Sequence, residues 1–150
     1  MFSNYQLFDD LIDDLSISFK QIDIDKIVCI DAIGFILGSA LSMKMKKGLV
    51  LVRKEGKIPL HNDELIKRTF TDYSRGYKTL EINKNLIKEG EKILLVDDWI
   101  ETGSQIKAAI QMVEEVKCKI VGISCIGIDR NENTEELFIK YNLKAIGINV

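Results

Sequence analysis

Residues 93 to 105 read Ile-Leu-Leu-Val-Asp-Asp-Trp-Ile-Glu-Thr-Gly-Ser-Gln, and the rest of the chain can be interpreted around them. Ile93 to Val96 is a short apolar run of the kind that forms a strand buried on both faces. It stops at two adjacent acids, Asp97 and Asp98. A turn carrying Thr102, Gly103 and Ser104 follows, and helical spacing begins at Ile106. In an open α/β sheet, ligands bind at the carboxyl ends of strands, where such a turn falls. A helix start offers backbone N–H groups to a phosphate. Carboxylates just ahead of it repel that phosphate unless they hold something else, such as sugar hydroxyls or a hydrated Mg²⁺. A phosphate beside vicinal hydroxyls describes a ribose 5-phosphate.

On the N-terminal side, Leu7, Leu11, Ile12, Leu15 and Phe19 lie at helical spacing within residues 4 to 20 and predict a packing helix. Ile27 to Ile30 predicts a short strand ending at Asp31. The turn Asp31-Ala32-Ile33-Gly34 leads into a helix through Met45, whose Gly38, Ser39 and Ala40 suggest close packing against the sheet. Leu49 to Val52 is the next strand. It ends in Arg53-Lys54-Glu55-Gly56-Lys57, which is either a solvated turn or a counter-charge for an anionic ligand. Residues 60 to 77 are polar and irregular, and a loop this long inside a compact domain is often a functional lid. Leu80 to Ile82 is a short strand before the central one. On the C-terminal side, Ile106, Ala109, Ile110, Val113 and Val116 form a helix face, and Ile120 to Ile128 a strongly apolar strand. A short helix over Thr134 to Tyr141 and a strand over Leu143 to Val150 complete the chain. Alternating strands and helices predict one α/β domain over residues 1 to 150, a mostly parallel sheet with helices on both faces.

Composition limits the function. Hydrophobic content of 46% and charged content of 29% are those of a globular protein. A formal charge of −2 gives no general attraction to nucleic acid or anionic membrane. The early acids Asp9, Asp10, Asp13 and Asp14 argue against a signal peptide, and no apolar run approaches the ~18 residues of a membrane span. Cys29, Cys118 and Cys125 lack metal-ligand spacing and read as buried free thiols of a cytoplasmic protein.

The chain resembles the type I phosphoribosyltransferases, the adenine enzymes above all. That family's signature is an apolar strand, two acids, two variable residues and a small-Thr-Gly-small-Thr loop, matched by Ile93 to Gln105. Three more segments match in order: Val28 to Ser39, the Arg53-Lys54-Glu-Gly-Lys57-Ile-Pro59 stretch, and Leu80-Glu81-Ile82 ahead of Gly90. The resemblance implies a Mg²⁺-dependent transfer of the phosphoribosyl group from phosphoribosyl pyrophosphate (PRPP) to a purine-type base in nucleotide salvage, with release of pyrophosphate. Asp97 and Asp98 are then the acids that accept the ribose hydroxyls. The N–H groups and hydroxyls of Glu101, Thr102, Gly103, Ser104 and Gln105 hold the 5-phosphate. Ala32, Ile33 and Gly34 face the pyrophosphate, Lys54 and Lys57 neutralise it as it leaves, and Arg53 reaches across a homodimer. The metal is held mainly by PRPP and water, near Asp97 and Asp98. The 60 to 78 loop closes over the reactants and excludes water.

Departures from the pattern fall at informative places. The pyrophosphate turn usually ends Arg-Gly-Phe in the adenine enzymes, whereas Ile33-Gly34-Phe35 lacks the cation. Their lid carries a Glu that aligns near Ser74, and Asp72 takes its catalytic role if the loop shifts by a residue or two. Where those enzymes carry a hood over the base, this sequence has a short acidic helix. Trp99 either lines the base pocket by stacking or fills the core under the helix. The rival from another class is a regulator that binds PRPP or a nucleotide on the same fold without catalysis. The missing Arg and Glu favour it; Lys54, Lys57 and both acids oppose it. A receiver domain is excluded because too little chain follows Asp98, and a nucleotide-triphosphatase loop because Gly-Lys-Ser/Thr is absent.

Overall fold

A computed structural model describes residues 1 to 71 and 76 to 150. Helix α1, Tyr5–Ile17, starts where the Asn4 side chain accepts the Leu7 N–H, and it buries Leu11, Ile12 and Leu15. Phe19, just beyond its end, is buried as expected. Leu7 is exposed instead, because Phe8 turns inward and meets the Phe2 ring edge-on. Strand β1, Lys26–Ile30, leads through Asp31 and Ala32 into α2, Ile33–Met45, and then β2, Gly48–Lys54. The expected close packing of α2 is real at Gly38, where a Cβ would lie 2.5 Å from that of Cys29.

The irregular loop expected over residues 60 to 77 is not what the chain forms. Leu65–Thr71 is a strand, β3, paired antiparallel with β4, Tyr77–Asn83, over seven residue pairs from Leu65↔Asn83 to Thr71↔Tyr77. The charges of Lys67 and Arg68 hide a strand pattern: Ile66 is buried, and Phe70, on the same side four residues on, packs against the same core. The cations are absorbed at the surface. Lys67 pairs with Glu55 at 3.2 Å and lies 3.7 Å from Glu81, while Arg68 pairs with Glu115 on the helix below.

Strand β5, Lys92–Val96, is central, followed by the two-residue strand β6, Trp99–Ile100. Helix α3, Ser104–Glu115, β7, Lys119–Asp129, α4, Glu135–Lys140, and β8, Leu143–Asn149, complete the fold. The sheet runs β3-β4-β2-β1-β5-β7, with β6 and β8 also paired to β7. From β2 to β8 the pairs are parallel, and β4 and β3 add an antiparallel edge. Helices α1 and α2 cover one face over a core of Leu15, Phe19, Ile27, Leu37 and Leu94. Helices α3 and α4 cover the other over Val28, Ile30, Leu95, Ile106 and Val113. The fold is therefore the expected mostly parallel sheet with helices on both faces.

Candidate active site

Parallel pairing of β1 with β5, Cys29 opposite Val96, brings the turn after β1 beside the turn after β5. Gly34, in the first turn of α2, sits directly on the end of β5: a Cβ there would lie 3.3 Å from both Asp97 Oδ1 and the Val96 carbonyl oxygen. A side chain there would fit only if the end of β5 gave way by a few tenths of an ångström. Asp97 is consequently only 1% exposed. Its Oδ1 accepts the Asp98 N–H at 3.0 Å and its Oδ2 accepts the Gln105 side-chain amide at 3.1 Å. Burial pushes the Asp97 carboxyl up to about 8; the Gln105 amide pulls it down, and the neighbouring Asp98 charge raises it again. The Asp98 carbonyl accepts N–H groups from Ile126 and Gly127 of β7, which fixes the turn between β5 and β6.

The turn into α3 is glycine-dependent. Gly103 caps the helix with φ 77°, a left-handed conformation that side chains disfavour. The Thr102 hydroxyl donates to the Ser104 hydroxyl at 3.1 Å and accepts the Ser104 N–H at 3.3 Å. From the other side, Asn131 donates its amide to the Glu101 carbonyl at 2.9 Å. The start of a three-turn helix thus lies beside a buried acid, and its first-turn N–H groups other than that of Ser104 face outward for an anion.

Two cavities meet here. One, about 180 Å³, is lined by Asp97, Trp99, Glu101, Thr102, Gly103 and Gln105, and closed from the β3–β4 side by Phe70 and Lys78. The other, about 290 Å³, is lined by Asp31, Lys54, Thr79 and Leu80, and shares Phe70, Lys78 and Gln105 with the first. Together they form a cleft running from the α3 start to the Asp31 turn, with an anion-accepting end and a lysine-bearing end.

Residues 4–148 match the phosphoribosyl transferase domain family. The chain belongs to that family. The adenine phosphoribosyltransferase of Halothermothrix orenii is 41% identical over 107 residues, 70% of this chain and 59% of its own. That of Nitrosopumilus maritimus is 35% identical over 134 residues, 89% of this chain and 76% of its own. The chain spans only 55 to 66% of the length of six of the adenine phosphoribosyltransferases it matches. Among solved structures, the adenine phosphoribosyltransferase of Thermoanaerobacter pseudethanolicus superposes with a TM-score of 0.89 at 25% identity, over 98% of this chain and 83% of its own. The Saccharomyces cerevisiae enzyme, complexed with an imino-altritol bisphosphate and adenine, superposes with a TM-score of 0.81 at 30% identity, over 97% and 82%.

Against the family's signature, the cleft gathers Asp97, Glu101, Thr102, Gly103, Gln105 and Lys54. Asp98 and Ser104 belong to the same two turns, and Ala32, Ile33 and Gly34 form the neighbouring start of α2, with Ile33 42% exposed. Arg53 is turned to its own loop, donating to the Lys57 carbonyl at 2.8 Å. Lys57 has an exposed side chain, and its N–H is held by Glu81 at 2.9 Å. Asp72 and Ser74 lie outside the described residues. Trp99 is not core: it is 48% exposed and lies over Gly127, where a Cβ would fall 2.1 Å from the ring. Phe70, Lys78 and Glu81 were not singled out as site residues from the sequence. For Phe70 and Lys78 the signal was the two-residue alternation of β3 and β4, masked by reading the stretch as a loop; Glu81 lay in the predicted strand Leu80 to Ile82, but with nothing there to mark it as bonding the lysine loop.

Proposed function

We propose that the protein is a phosphoribosyltransferase, transferring the 5-phosphoribosyl group of PRPP to a purine-type base, adenine first among them, with release of pyrophosphate. The observation that carries it is the junction of Asp97 with the α3 start: a buried acid beside free helical N–H groups fits vicinal hydroxyls next to a phosphate. The relatives that the chain matches are adenine phosphoribosyltransferases, and the yeast structure holds adenine with a bisphosphate.

In this reading the turn from Glu101 to Gln105 receives the 5-phosphate, and Asp97 and Asp98 accept the ribose hydroxyls. The pyrophosphate lies along Ala32 to Gly34 toward Lys54, with Lys57 and Arg53 in the adjoining loop. Lys78, which borders both cavities, supplies positive charge on the side where Ile33 brings none. The bond from the anomeric carbon to pyrophosphate oxygen breaks, and its electron pair leaves with the pyrophosphate. A ring nitrogen of the base then bonds to that carbon, and its proton passes to Asp72. Lysines and backbone dipoles fixed before the reaction stabilise the charges that develop.

Among the described residues no cluster of three or more His, Cys, Asp or Glu could hold a metal. A Mg²⁺ carried by the donor's phosphates and water near Asp97 and Asp98 would neutralise the leaving group. The exposed apolar side chains of Ile33, Ile36 and Met43 on α2 support a homodimer. The free, buried thiols of Cys29, Cys118 and Cys125 support a cytoplasmic setting. No helix of the described residues is long and apolar enough to cross a membrane.

The test is pyrophosphate release from PRPP with Mg²⁺ across a panel of bases. Release that depends on one purine establishes the transfer and names the acceptor. The second reading, a PRPP- or nucleotide-binding regulator, draws on the exposed Ile33 in place of a cation. PRPP binding without release for any base selects it.

A further inference from the structure

In the family's signature the last residue of the phosphate loop is a Thr; here it is Gln105, and its side chain does not turn to the loop. Its amide instead spans to the end of β5 and donates to Asp97 Oδ2 at 3.1 Å. Apart from the cavity it lines, Asp97 is closely surrounded by the chain. Its second oxygen takes the Asp98 N–H, the backbone of α2 at Gly34 presses against it, and Cys29 of β1 and Cys125 of β7 lie close enough for its charge to raise their thiols. Lys54, Lys78 and Asp31 line the cavities that Gln105 borders. A carboxylate buried this deeply needs partners for both oxygens, and leaving one unpaired is costly. Thr102, by contrast, has its hydroxyl on Ser104, inside the phosphate turn.

We propose that Gln105 is a positioning residue for Asp97 rather than a phosphate ligand. Its amide fixes the plane of the carboxyl and links the sugar-binding acid to the helix that receives the phosphate. The phosphate itself is left to the backbone N–H groups and the Thr102 and Ser104 hydroxyls. This rests on the PRPP reading above for its consequence, while the contact itself is testable without any ligand.

Two experiments on the full chain decide it. In the free protein, the side-chain amide resonances of Gln105 should move with pH as Asp97 titrates, near pH 8, and should lose that movement in Asp97→Asn. Resonances unmoved by pH in the wild type, or unaffected by Asp97→Asn, overturn the proposal. For the consequence, PRPP affinity is measured by calorimetry in a double-mutant cycle of Gln105→Met and Asp97→Asn. Measured above pH 8, where Asp97 is ionised, Gln105→Met alone should weaken PRPP binding roughly tenfold, the worth of one charge-assisted hydrogen bond. In the Asp97→Asn background the same change should have no effect beyond about twofold, because the charge that strengthens the bond is already removed. A full additional loss in that background identifies Gln105 as an independent phosphate ligand and overturns the proposal. If the wild type binds no PRPP, the functional reading falls, and the resonance experiment still decides the contact.

Discussion

Gly127 has its role through what it lacks: any Cβ there would meet the six-membered ring of Trp99 at 2.1 to 2.7 Å. Because Trp99 is half exposed, Gly127→Ala should swing the ring toward the cavity rather than break the strand. We expect a loss of about 1 kcal/mol in denaturant unfolding. The emission of this single tryptophan should shift to the red as it leaves its seat. Asp97 gives a pH prediction of defined sign. Its folded pKa, about 8, lies above the unfolded value of about 3.9. Between those values the unfolded chain has released a proton that the native state keeps, so this group's contribution to stability declines as pH rises and levels off above about 8. Asp97→Asn removes the decline. Urea denaturation should therefore find the variant increasingly more stable relative to wild type from pH 5 to pH 8. The sequence made Asp97 legible, since two acids after an apolar run are unambiguous. It did not show that Gln105 would face Asp97, because that depends on how the start of α3 meets the end of β5.

At the level of elements, the hairpin of β3 and β4 is the feature least readable beforehand. Lys67, Arg68 and Thr69 in sequence look like loop, and only pairing with β4 and packing against α3 make them strand. The parallel strands were readable because burial on both faces leaves near-continuous apolar runs such as Ile93 to Val96. Glu81 ties this hairpin to the lysine loop: it is 1% exposed and accepts the N–H groups of Lys57 at 2.9 Å and Ile58 at 2.8 Å. Glu81→Ala leaves both donors without their acceptor and should cost about 1–3 kcal/mol near neutral pH. Burial pushes the Glu81 carboxyl up, but the N–H groups of Ile58, Gly56 and Lys57, with Lys67, hold it below its ordinary value. The stabilisation is thus present above the unfolded pKa, about 4.3, and lost as pH falls through the lower folded value. The difference between wild type and variant in urea should shrink accordingly in acid.

For the whole molecule, α2 is apolar nearly all round. It buries Leu37 and Leu41 against the sheet, yet leaves Ile36 45% and Met43 80% exposed on its outer side. A homodimer through this face predicts that Ile36→Glu with Met43→Glu yields a folded 17.1 kDa monomer by light scattering, while the wild type measures twice that mass. A monomeric wild type contradicts it. The central claim is that the cleft between the Asp31 turn and the α3 start holds PRPP for transfer. The most direct measurement is Mg²⁺-dependent pyrophosphate release by the wild type and by the Asp97→Asn, Asp98→Asn double variant, with circular dichroism confirming that both are folded. The expected result is base-dependent release by the wild type and a drop of about a hundredfold or more in the variant, since both groups act at the reacting sugar. Equal release by the two proteins would contradict it, because the two acids would then have no part in the reaction.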